Sequence, residues 1–338
     1  MNTRSKSSAS LHLCDMPLEL LVAILEMACE TCVANVNRQL KAMCNLELAE
    51  QYQAWTLGLS HLQVARMLAG MQSRHAEQLH ALRVAREVPT GAFQACREMC
   101  LNKLPEQVTA IGAHAFKECQ ALTHMQLASQ LIIGDDAFGE CHALTTVKFA
   151  DGISIGACAF YNCNALAHLE FAGGMTIGAC AFASCSALTH LQLPDDVILC
   201  NSAFTHCIAL THLTLPGSMT IGDSAFYKCS ALTHLKVAGG TTIGASAFGS
   251  CSALTHLTLA GSMTIGASAF ASCSALTHLE VAGGTTIGDS AFASCSALTH
   301  LKVAGGTTIG ACAFYNCIAL THLTLAGGMT IGACAFYK

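Results

Sequence analysis

A phenylalanine stands every 22 residues from Phe116 to Phe336, through Phe138, Phe160, Phe182, Phe204, Phe226, Phe248, Phe270, Phe292 and Phe314, with no insertion or deletion. A fixed period of this length is the mark of a solenoid. Each copy is one turn that cannot bury its apolar face alone, and stacking the turns makes a continuous core. The chain has 338 residues, enough for a long stack and one small domain. Only 11% of them are charged, against about 25% in ordinary globular chains. Even so, no apolar run approaches the ~18 residues of a membrane span. The apolar residues come in short pulses, as a repeat core requires.

One copy shows the local logic. In Leu276-Thr277-His278-Leu279-Glu280-Val281, Leu279 and Val281 share one side of a strand. His278 and Glu280 therefore share the other, by the two-residue strand period. Gly283-Gly284 turns the chain, and Thr285-Thr286-Ile287 forms a second extended piece. Gly288 occupies a bend column filled by Gly in nearly every copy, as at Gly244, which predicts positive φ there. Cys200 is the departure from that column, so a local distortion is expected around Leu199-Cys200-Asn201. A short helical or 3₁₀ turn is predicted from the Phe to the Leu that opens the next strand.

The expected domains are a disordered tail at 1–12, a small all-α domain at 13–90 and a leucine-rich-repeat type solenoid at 91–338. Leu18, Leu21, Val22 and Leu25 lie at helical spacing after Pro17, which suits a first helical turn. All the arginines precede residue 98, a compositional break at the boundary. Residues 91–112 read as a worn capping repeat, because Phe93 lies 23 residues before Phe116. The last repeat is incomplete, stopping at Lys338. This predicts either a fragment of a longer product or self-association through an open edge.

The net charge of −5 gives no case for nucleic acid. No secretory signal is visible, since the apolar run from Met16 to Ala28 carries Glu19 and Glu26. The 21 cysteines are an odd number, and eleven form one column, Cys96 to Cys317. A column of identical environments carries no pairing instruction, so they read as buried thiols in a reducing compartment, the cytoplasm. In a second column Cys158 and Cys180, and Cys312 and Cys334, stand where other copies have Ser.

The candidate binding face is the exposed strand column His124, His168, His190, His212, His234, His256, His278, His300 and His322, interrupted only by Thr146. Beside it runs a variable column that includes Glu170, Gln192, Lys236, Glu280 and Lys302. Lys148 beside Glu170, and Glu280 beside Lys302, are expected ion pairs on adjacent turns. A zinc site is not expected, because a flat column of imidazoles does not converge on a tetrahedral centre. No phosphate loop or isolated nucleophile stands apart from the columns, so neither an enzyme nor a cofactor is expected.

The pattern Ile-Gly-x-x-Ala-Phe-x-x-Cys-x-x-Leu-Thr-x-Leu-x-Leu over residues 111–336 resembles the BspA-type leucine-rich repeat. That resemblance implies a solenoid with a parallel sheet on its concave face and a role in binding proteins or cell surfaces. Met16-Pro17-Leu18-Glu19-Leu20-Leu21 resembles the opening helix of an F-box. It implies that Pro17, Leu18, Leu20 and Leu21 dock a Skp1-like adaptor. The favoured expectation is a scaffold that binds a protein partner on the His-bearing sheet. The alternatives are a substrate receptor of a ubiquitin ligase, a cell-surface adhesin, and a structural or ice-facing array built on the Thr column of Thr176 and Thr220 to Thr330.

Overall fold

The structure, a computed structural model, describes residues 84–195 and 197–338 together with Leu79, Ala81 and Leu82. All belong to one compact unit, Met71–Lys338. The tail at 1–12, the F-box-like segment and nearly all of the helical stretch lie outside the described residues. Among the described residues no helix is long and apolar enough to cross a membrane.

The unit is a parallel β-solenoid in which each turn gives one short and one longer strand. The short strands, from Glu87–Val88 to Thr330–Ile331, pair in chain order into one 12-stranded sheet. The longer strands face elsewhere, and they do not make the single sheet expected of them. They divide into three sheets: His124–Leu127 to His168–Glu170, His190–Gln192 to His256–Leu259, and His278–Val281 to His322–Leu325. Pro194 stands at the first break. At its place Ala150, Ala238, Ala260, Ala304 and Ala326 donate to the turn before, Ala150 N–H to the Leu127 carbonyl at 3.3 Å, whereas Pro216 interrupts the same column with no break in the sheet. Proline has no N–H to give.

Inside, the rings from Phe93 to Phe336 form one stack, with centroids 4.9–5.4 Å apart and planes within 14°. Such rings hold 150–250 Å² each away from water, roughly. Three residues on, each ladder cysteine from Cys119 to Cys317 donates its S–H to the carbonyl of the Phe one turn below, at 3.1–3.4 Å. The same carbonyl also accepts the N–H of the cysteine three residues on in its own turn, as Phe93 does from Cys96 at 2.9 Å, so the sulfur adds a second hydrogen bond that ties one turn to the next. Burial pushes the thiols of Cys141, Cys207 and Cys251 up to about 12. The described cysteines are free thiols.

The predicted helical or 3₁₀ segment after the Phe is instead a run of turns. Two non-glycine residues per copy, four apart, are left-handed, such as Ser268 at φ 55° and Ser272 at φ 61°. Each stops a right-handed turn before it can propagate.

The bend glycines do not have positive φ; the left-handed glycines are others, such as Gly240 and Gly284. What the bend column needs is the absent Cβ. At Gly244 a Cβ would lie 2.7 Å from the Asp223 nitrogen and the Gly222 carbonyl carbon, in the turn below. Cys200 carries a Cβ into this column, and the short-strand ladder thins beside it. Thr220–Ile221 pairs with Ile198–Leu199 through Leu199 and Ile221 alone.

The solenoid also starts earlier than expected. Glu87–Val88, at the end of the predicted helical stretch, is a strand paired with Ala110–Ile111. Residues 91–112 are a packed turn, with Phe93 fully buried. Glu87 pairs with Ala110 and Lys103 with Gln126, both 23 apart, whereas Ala110 pairs with Ile132, 22 apart. The extra residue therefore sits in the connection 104–109.

Candidate functional site

The exposed side of the longer strands carries the site. Every ladder histidine opens its strand and points outward, while the next residue points in. The residue before most of them is Thr. Its hydroxyl meets the His Nδ1 at 2.8–3.0 Å at His124, His190, His212, His234, His256, His278, His300 and His322. The same hydroxyl also reaches the Thr carbonyl one turn below, at 3.1 Å from Thr233, 3.2 Å from Thr255 and 3.0 Å from Thr299. A hydroxyl has one proton to donate. With that proton on a carbonyl, the oxygen can only accept from the imidazole. His234, His256 and His300 therefore carry their proton on Nδ1 and present Nε2 outward as a bare acceptor. The sequence shows the Thr-His pair in copy after copy, but its part in fixing the tautomer appears only with the turns stacked.

The rings gather into two stacked triads. His212, His234 and His256 lie at centroid distances of 4.6 and 4.2 Å, and His278, His300 and His322 at 4.5 and 4.2 Å. The gap between them coincides with the break between the second and third long-strand sheets. The middle ring of each triad, His234 or His300, is held below the ordinary histidine value. Crowding by the adjacent turns withdraws it from water, and the flanking imidazoles oppose its charge. The ring planes in the triads lie within 12° of each other. Their nitrogens therefore run parallel rather than converging. Among the described residues no group of three or more His, Cys, Asp or Glu is disposed to hold a metal ion.

The face is not uniform. A depression of about 980 Å³ opens over four successive turns, lined by Thr146, Lys148, His168, Glu170, His190, Gln192, Asp195, His212, Thr214 and Pro216 and floored by Leu169, Leu191, Leu193 and Leu213. It lies over the first break in the long-strand face. These are also the turns that depart from the pattern: Thr146 replaces a histidine, Ala167 replaces the Thr before His168, and Pro194 and Pro216 end their strands. Lys148 and Glu170 pair across it at 3.0 Å.

The depression brings together five of the predicted binding residues, His168, Glu170, His190, Gln192 and His212. His234, Lys236, His256, His278, Glu280, His300 and Lys302 lie further along the same face, with Lys302 and Glu280 3.6 Å apart. Pro17, Leu18, Leu20 and Leu21 fall outside the described residues. Sequence reasoning missed Asp195 and Pro216, whereas Thr214 belongs to the variable column beside the histidines; the readable signal was proline in a column that elsewhere holds alanine.

Comparison with known proteins points one way on the fold. The family described as BspA type leucine rich repeat region (6 copies) matches residues 86–211, 154–277 and 220–338. No curated protein matches. Among solved structures, a leucine-rich repeat protein from Bacteroides ovatus is 24% identical, with 70% of this chain and 81% of that one covered and a TM-score of 0.34. A leucine rich cell surface protein from Faecalibacterium prausnitzii is 22% identical, with 72% and 83% covered and a TM-score of 0.41. The pneumococcal vaccine antigen PcpA is 20% identical, with 65% and 66% covered and a TM-score of 0.41.

Proposed function

The chain belongs to the BspA type leucine-rich repeat family, and from that premise we propose that it is a non-enzymatic scaffold that docks a protein partner on its His-bearing face. The observation that carries this reading is the coincidence of the depression with the turns whose exposed residues break the repeat. A column copied unchanged has no reason to select one partner; a stretch that departs from it does. The leucine floor offers apolar contact and the Lys148–Glu170 pair a polar rim, the usual anatomy of a protein-binding patch.

A catalytic role is disfavoured by the same hydrogen bonds. The Thr233, Thr255 and Thr299 protons are held by backbone carbonyls, so these hydroxyls are not poised for attack despite the histidine beside them. The odd cysteine count and the unpaired ladder support the cytoplasm as the compartment.

Affinity capture from the native cell extract tests the reading. Proteins retained by the full chain should be lost with His190→Ala/His212→Ala and kept with His278→Ala/His300→Ala. Equal retention by both variants would overturn the assignment.

A further inference from the structure

We propose that Cys158 and Cys180 form a reversible covalent staple between two adjacent turns, made by exchange with a small-molecule disulfide such as glutathione disulfide. The two cysteines occupy the same column on neighbouring turns. Cys158 N–H donates to the Ala179 carbonyl at 2.8 Å, which sets the residues side by side. Burial holds the Cys158 thiol above its ordinary value, and the Cys180 thiol is close enough to oppose its ionisation further. Adjacent turns lie ~4.8 Å apart, within the Cα range of about 4.4–6.8 Å that a disulfide spans. Unlike the interior ladder, both residues are half-exposed. They also donate to no Phe carbonyl, so a reagent can reach them.

Where this pair stands matters as much as its spacing. The turn of Cys158 leads into His168–Glu170, and the turn of Cys180 into His190–Gln192. Between those two strands the long-strand sheet is broken. A bond between Cys158 and Cys180 would therefore tie the two turns where the backbone ladder of the long strands does not. Five copies carry Ser in this column. Cysteine occurs in it only as adjacent pairs, here and at Cys312 and Cys334.

The exchange balances as follows. One thiolate of the pair attacks a sulfur of the small disulfide, forming a mixed disulfide and releasing one small thiolate. The second cysteine then attacks the protein sulfur of that mixed bond and expels the other small thiolate. The two protein S–H protons end on the two released thiols. The pair is oxidised by two electrons and the small disulfide is reduced by two. In-register turns hold the Cβ atoms near the turn spacing, wider than the ~3.8 Å a relaxed disulfide prefers. Both residues are also fixed at φ 56°. The bond thus pulls two turns together, and strain of this kind makes a disulfide easy to reduce.

The test is a redox titration of the full chain in glutathione buffers, with alkylation of remaining thiols and peptide mapping by mass spectrometry. A Cys158–Cys180 linked peptide is expected, about 2 Da below the reduced pair, lost again on reduction, while Cys185, Cys207 and Cys229 stay alkylatable only after unfolding. Cys158→Ser, which installs the residue of other copies and so should fold, is expected to trap glutathione on Cys180. A pair that remains reduced across the titration, or that links to other cysteines, overturns the proposal. So does a Cys158→Ser chain that takes up no glutathione under the same conditions.

Discussion

Two glycines with the same letter in the sequence have different physical reasons. Gly244 has no room, since a Cβ would meet the backbone of the turn below at 2.7 Å. Gly284 has room but sits at φ 72°, where its nearest neighbour is Ser262 at 3.8 Å. Asparagine separates the two, because it tolerates the left-handed region but not a backbone collision. Gly244→Asn should cost about 1–3 kcal/mol by forced displacement of the turn, and Gly284→Asn less than about 1 kcal/mol. Urea denaturation midpoints compare them directly, and equal costs would contradict the distinction. The need for glycine was legible in its column, but its cause was not, since crowding and positive φ select the same residue. Left-handed Ser268 and Ser272 were illegible for the converse reason: serine does not advertise the conformation.

The strands and their ladders make the face respond to acid. His234 and His300 have folded pKa values below the ordinary one. Their neutral forms are favoured in the folded state, so as pH falls the unfolded chain takes up protons first. Stability is complete above the unfolded value of about 6.5 and is lost as pH drops below it. Thermal midpoints should lie level near neutrality and fall toward pH 5, and His234→Gln/His300→Gln should flatten the fall. Stabilisation by acid would contradict the sign. The Lys148–Glu170 pair, exposed on both sides, should couple by only ~0.2–1 kcal/mol in a double-mutant cycle. Alternation along each strand, with His278 and Glu280 out and Leu279 and Val281 in, was legible because period two needs no tertiary knowledge. The division of the face was not, since it turns on how neighbouring turns meet.

Taken as a whole, the solenoid is a sum of turns, each resting on its two neighbours. Removing one ring from the stack severs that dependence. Phe226, fully buried between Phe204 and Phe248, is expected to cost about 3–5 kcal/mol on replacement by Ala. The unfolding transition should also broaden or split as the two sides part company. Calorimetry checks both, and a single sharp transition at the original midpoint would count against a turn-by-turn build. The period made this architecture readable from one chain. The earlier start, at Glu87–Val88, was hidden because two residues are too short a strand for any pattern.

Near-identity of the copies also sets a hazard for the folding chain. A stack that skips one copy still places every Phe on a Phe and every ladder Cys under a Phe carbonyl. The skipped 22 residues become a loop whose closure costs only a few kcal/mol, on the order of (3/2)RT ln n. From His212 onward little distinguishes one turn from the next. The irregular turns from Thr146 to Pro216 are different: Lys148 meets Glu170 and Phe149 stacks on Phe171 in one alignment alone. These residues work as index marks that tell the growing stack which turn comes next. The same irregularity that shapes the depression thus selects the frame in which the whole molecule assembles.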